Sequence, residues 1–212
     1  MVLEQHRARG DRYLKPMAQV ADRWGLSADA LTVVSLGLAI VAGLLLFYGQ
    51  QGRPMLLALG GLVVLGSALL DAVDGRLARL QGKAGPRGDY LDHVTDRYAD
   101  LAILLGIGLA PAMDLRLTLF AVTGVLLTSY MGTQAQALGL GRDYRGLLGR
   151  ADRLVLLGTV PVLQAALPAG SAVLGWAPLA LLLLLLGALG NVTAVQRFVS
   201  GWRELAGRKL QP

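Results

Sequence analysis

The chain reads as long apolar blocks cut by short polar breaks. The breaks fall at Gln50-Gln51-Gly52-Arg53-Pro54, at Gly82 to Gly88 around Pro86, at Pro111 to Arg116, at Gly139 to Gly146 and at Pro168-Ala169-Gly170. Gly and Pro punctuate each of them, as turns require. Six blocks lie between, near Ala30–Tyr48, Met55–Leu80, Tyr90–Leu109, Leu117–Leu138, Leu148–Leu167 and Ala172–Val199. A hydrocarbon core about 30 Å thick takes about 20 helical residues to cross. The pattern therefore predicts an all-α, polytopic membrane protein with six transmembrane helices.

The first 25 residues differ. They carry charges and no apolar stretch, which does not suit a cleaved signal peptide. Tyr13, Leu14, Met17, Val20, Ala21 and Trp24 recur at the spacing of one helix face, while Arg12, Lys15, Asp22 and Arg23 lie elsewhere. That is the pattern of an amphipathic helix in the membrane interface; a helix packed on protein is the plainer alternative. The expected organisation is an interfacial helix over 1–25, a six-span domain over 26–200 and a cytoplasmic tail over 201–212.

Composition supports a lipid environment. With Gly counted and Tyr left out, the apolar share is roughly 65%, against about 45–50% for soluble domains. The absence of cysteine excludes disulfides, thiolate metal sites and cysteine nucleophiles. The net charge of +6 flanks apolar runs, so anionic lipid or substrate is the expected partner and nucleic acid is not. All Lys and Arg except Arg53, Arg97 and Arg116 fall at the termini or in and beside the loops joining spans 2 to 3 and 4 to 5. The positive-inside rule then puts both termini and these two loops in the cytoplasm, which an even number of spans satisfies.

Ionisable groups inside membrane helices are costly and point to function. Asp71, Asp74, Asp92, Asp96 and Asp100 lie within two apparent spans that adjoin one cytoplasmic loop. Asp71 and Asp74 are three apart; Asp92, Asp96 and Asp100 advance by four, so each set shares a helix face. Helices joined by a short loop are antiparallel neighbours, which can bring these faces together. Carboxylates so clustered would repel or take up protons unless a cation neutralised them. All-oxygen ligation favours Mg2+ or Mn2+ over zinc, and such ions commonly bind phosphates. The competing reading is an ion-pair network with Arg76, Arg79 and Arg97, in which the acids outnumber the bases on the shared faces.

Asp71, Asp74, Gly75, Ala78, Arg79, Gly88, Asp92 and Asp96 stand at every fixed position of a signature spanning 26 residues. This segment resembles the CDP-alcohol phosphotransferase (CDP-alcohol phosphatidyltransferase) family. Gly25 to Thr32 resembles the family's stretch before span 1, usually Pro-Asn-x-Leu-Thr, with Ala28 and Asp29 in place of Pro and Asn. The resemblance implies displacement of CMP from a CDP-linked alcohol, often CDP-diacylglycerol or its ether counterpart, by a second alcohol, with two metal ions and a homodimer. It implies that Asp71, Asp74, Asp92 and Asp96 hold the ions and that Asp96 is also the catalytic base. Thr32, Asp71, Asp74, Gly75, Ala78, Arg79 and Gly88 would face the CDP moiety. Small residues there leave room for a nucleotide, although Gly75 alone would read as tight helix packing. His93 and Asp100 lie beside the motif and are left outside the site.

The acceptor side is read from two further segments. Ser129 to Gly139 resembles a stretch of the inositol-phosphate branch, with Gly132 and Gln134 where that branch carries arginines. Gly149-Arg150-Ala151-Asp152-Arg153 resembles its basic-acidic cluster. Arg150 and Arg153, three apart, could hold an acceptor phosphate, or could simply snorkel at the membrane boundary. Glycerol phosphate and inositol phosphate are the acceptors this favours. A divalent-cation transporter lined by the same aspartates, or an inactive lipid-binding scaffold, are the rival functions.

Overall fold

The computed structural model describes residues 7–140, 146, 147 and 149–207, with side chains from Leu14 onward. Of the positions used above, Arg142, Arg145, Leu148, Arg208 and Lys209, and the side chains of Arg7, Arg9, Arg12 and Tyr13, lie outside that description. The described residues form seven helices and no strand: α1 (Arg7–Arg23), α2 (Ala28–Gly49), α3 (Pro54–Leu80), α4 (Pro86–Gly108), α5 (Leu115–Ala137), α6 (Arg150–Ala166) and α7 (Pro178–Gly207).

Local chemistry explains the boundaries. Ser27 caps α2 by accepting a hydrogen bond from the Ala30 amide, and Asp114 caps α5 through the Arg116 amide. Pro54 and Pro86 open α3 and α4, where a missing N–H costs nothing. Gly82, at φ +64°, takes the left-handed turn after α3 that a side chain would resist.

Helices α2 to α7 occupy the six apolar blocks in order. The last block begins later than its hydropathy suggests. Leu174 and Gly175 take positive φ, and Val173 and Trp176 exchange backbone hydrogen bonds, so 172–177 is a tight turn and the helix starts at Pro178. It then runs past Val199 to Gly207, so the expected tail begins as helix. By length and composition four helices can cross a membrane: α2, α3, α5 and α7. α4 fails that criterion because its aspartates and Arg97 interrupt the apolar run, and α6 because it has 17 residues.

Packing closes these six helices into a ring: α2 touches α3 and α4, α3 touches α6, α6 touches α7, α7 touches α5, and α5 returns to α4. Small residues allow the close crossings. A Cβ on Gly43 would lie 2.3 Å from the Ala102 carbonyl oxygen, one on Gly61 2.4 Å from that of Gly158, and one on Gly190 2.6 Å from the Gly124 carbonyl carbon. Leu46, Val64, Ile103, Ile107, Leu157 and Leu183 fill the interior, whereas Val33, Ile40, Leu44, Leu62, Leu119 and Phe120 face outward. An apolar exterior on this scale marks a lipid-facing surface.

Helix α1 docks on α3, with Ala18 and Ala21 against Val73 and Leu77. The apolar face read from the sequence is thus divided. Ala21 and Leu14 pack inward, while Met17, Val20 and Trp24 remain exposed.

Candidate active site

Helices α2, α4 and α6 start, and α3, α5 and α7 end, at the same end of the ring. Contacts between Thr32 and Asp74, between Arg150 and both Asp71 and Asp96, and between Arg197 and Thr128 fix this arrangement. The candidate residues meet there.

One oxygen each from Asp71, Asp74 and Asp92 lies within 4.8 Å of the others. Asp74 is buried, and Thr32 donates a 2.7 Å hydrogen bond to its Oδ2. The other two carboxylates are half-buried. Asp96, one turn beyond Asp92 on α4, lies between two guanidinium groups. Arg150 Nη2 is 2.7 Å from its Oδ1, and Arg97 Nη2 is 3.5 Å from its Oδ2. Arg150 also places Nη1 2.5 Å from Asp71 Oδ2, so one planar fork spans the α3 and α4 aspartates. The donor set is entirely carboxylate oxygen, and one member is already oriented by a hydroxyl; this suits a hard divalent ion.

The signature's small residues sit in open space. Among the described residues nothing lies within 4 Å of a Cβ built on Gly88, and one on Gly75 would meet only the Arg79 guanidinium at 3.9 Å. Helix packing therefore does not require glycine at either position, in contrast to Gly43 and Gly61. Ala78 is half-buried and Arg79 exposed beside them. His93 Nδ1 stands 3.7 Å from Asp92 Oδ2.

Arg153, expected to face an acceptor, is 4% exposed and donates through Nη2 to Asp100 Oδ2 at 2.9 Å. Asp100 is 1% exposed and is drawn into the same network by Arg97 at 3.3 Å. Sequence reasoning left Asp100 aside, although its place four residues beyond Asp96 was the available signal. It also missed Arg197 of α7, which donates to the Thr128 carbonyl oxygen at 2.8 Å. Its Nη1 lies 2.9 Å from where a Cβ of Gly132 would be.

The family profile of the CDP-alcohol phosphatidyltransferases matches residues 26–190, which contain the aspartates, Thr32, Arg150 and Arg153 but not Arg197. The chain belongs to that family. It is accordingly a divalent-metal-dependent transferase, and membership disfavours the cation-transporter reading. Among its relatives is the phosphatidylinositol phosphate synthase of Streptomyces avermitilis, 32% identical over 97% of this chain and 84% of the relative. The archaetidylinositol phosphate synthase of Pyrococcus horikoshii is 27% identical over 74% of this chain and 80% of the relative. A solved structure of Mycobacterium tuberculosis phosphatidylinositol phosphate synthase with CDP-DAG bound superposes with a TM-score of 0.75 at 27% identity, covering 95% of this chain and 100% of that one. The same enzyme has been solved with manganese and citrate.

Proposed function

We propose that this transferase displaces CMP from CDP-diacylglycerol or an ether-lipid equivalent with the hydroxyl of a phosphorylated polar alcohol, inositol phosphate before glycerol phosphate. The observation that carries the reading is the convergence of the Asp71, Asp74 and Asp92 oxygens beside Asp96. Relatives named as inositol-phosphate lipid synthases support the acceptor class.

Two Mg2+ or Mn2+ ions held by Asp71, Asp74, Asp92 and Asp96 would neutralise charge on the diphosphate and the departing CMP. Gly75, Ala78 and Gly88 leave room for the nucleotide, and Arg79 offers it a fork of donors. Thr32, close to the CDP-facing residues, holds Asp74. Asp96 accepts the proton of the acceptor hydroxyl; that oxygen bonds to the lipid-bearing phosphorus as the bond to CMP breaks. Arg150 meets the acceptor phosphate, Arg153 adds its charge one turn deeper, and Arg197 keeps a guanidinium beside Gly132, where the inositol-phosphate branch carries arginine.

The reading includes a cell-membrane protein of six spans with termini and active site on the cytoplasmic side, assembled as a homodimer. The exposed stripe of Met17, Val20 and Trp24 supports an interfacial α1. Purified protein with CDP-diacylglycerol and Mn2+ is to be assayed for CMP release across a panel of acceptors. Fastest release with inositol phosphate is expected; release driven only by an unphosphorylated alcohol overturns the acceptor assignment.

A further inference from the structure

The network behind Asp96 has a residue with no part in the reaction as described. Asp100 is deeper on α4 than any signature aspartate, and yet it gathers three arginines. Arg153 pairs with its Oδ2 at 2.9 Å, Arg97 approaches that same oxygen at 3.3 Å, and Arg150 Nε stands 4.0 Å from its Oδ1. Asp100 Oδ1 and Arg150 Nε are both buried, and among the described residues neither has a hydrogen-bond partner, so each keeps the capacity for one more bond. Helix α6 packs chiefly on α3 and α7, and Arg150 and Arg153 reach the α4 aspartates with their long side chains. A long side chain adopts many rotamers unless a fixed charge selects one. Asp100 is that charge for Arg153; for Arg150, whose fork ends on Asp71 and Asp96, it faces Nε at the root of the fork, and its hold on Arg97 places a second guanidinium at Asp96 Oδ2.

We propose that Asp100 is a positioning residue that anchors Arg153 and aims the Arg150 fork, and thereby sets the acceptor against Asp96. This rests on the acceptor reading above. It predicts an effect divided between the substrates. Donor binding depends on the α3 and α4 aspartates and the open space at Gly75 and Gly88, which Asp100 does not touch. Acceptor binding and turnover depend on where Arg150 points.

The test uses full-length protein in proteoliposomes with Mn2+, CDP-diacylglycerol and inositol phosphate. Asp100→Asn is expected to lower kcat up to about 10²-fold, the scale of a small misplacement near the chemistry, and to raise acceptor KM, with donor KM within about twofold of wild type. Asp100→Glu is expected to recover part of both losses. Removing one member of a buried pair can unfold a protein, so the double replacement Asp100→Leu with Arg153→Met, which leaves no unpaired charge between them, is measured alongside. It is expected to keep the wild-type melting temperature and the acceptor defect. In an Arg150→Gln background, Asp100→Asn should have little further effect on acceptor KM. A folded double variant with wild-type kcat and acceptor KM, equal loss of donor and acceptor affinity, or additive effects with Arg150→Gln would each overturn the proposal. Wild-type protein that releases no CMP would overturn the underlying reading, and the proposal with it.

Discussion

At the scale of single residues, the aspartates were legible because their spacing is governed by helix geometry. Steps of three and four along α3 and α4 put the carboxylates on one face each, and the five-residue connection sends α4 back antiparallel to α3; the short loop suggests direct neighbours, whereas in the ring α2 packs against both and the aspartates meet beside it. The roles of Thr32 and Arg150 could not be read this way. Thr32 is 42 residues from Asp74, and Arg150 is 79 from Asp71, separations across which local periodicity carries no information. Thr32 was expected near the nucleotide; its observed work is to orient Asp74 Oδ2. Replacing it by Val keeps the shape and removes the donor. Mn2+ affinity of Thr32→Val is expected to fall about 10-fold, as when a ligand loses its supporting hydrogen bond, while the melting temperature changes little. Unchanged Mn2+ affinity, read by titration of the purified protein, would show that the contact does not serve the ligand set.

At the scale of helices, apolar blocks and Gly/Pro breaks located α2 to α6 within a few residues, because a polar turn interrupts an apolar run whatever the tertiary context. The 172–177 turn was hidden because Val173, Leu174 and Trp176 are as apolar as the helix that follows; only Gly175 and Pro178 betray it. Glycines likewise look alike in sequence but divide into two kinds in space. A Cβ on Gly106 would lie 2.2 Å from the Gly43 carbonyl oxygen, so Gly106→Ala must part α2 from α4. Its expected cost is about 1–3 kcal/mol, visible as a lower Tm in detergent. Gly75→Ala meets only a flexible guanidinium and gains about 1 kcal/mol of helix propensity. Its Tm should hold or rise while donor KM increases. Reversal of the two thermal effects would contradict the distinction between packing and site glycines.

At the scale of the whole molecule, most of the charged residues and the candidate site lie at the same end of a closed six-helix ring. The expected orientation can be checked directly because the chain has no cysteine. Lys83→Cys, in the α3–α4 connection, should react with an impermeant thiol reagent only from the cytoplasmic face, and Ala112→Cys, between α4 and α5, only from the opposite face. Labelling of Ala112→Cys from the cytoplasmic side would reverse the topology or remove a crossing. α4 and α6 are the helices at stake, since the charges of α4 and the length of α6 do not qualify them as spans. Their polar faces turn toward one another and the ring interior, which is how a charged segment can be accommodated at membrane depth.

The central claim is that the Asp71, Asp74 and Asp92 oxygens form a divalent-metal site on which CMP displacement depends. The most direct measurement is CMP release from CDP-diacylglycerol with inositol phosphate, followed against Mn2+ concentration for wild-type and Asp92→Asn protein of equal thermal stability. Wild type should be silent without the ion and saturate as it is added, while Asp92→Asn should need at least about 10-fold more Mn2+ or fail to turn over. Superimposable Mn2+ responses, or release that persists in excess chelator, would contradict the account.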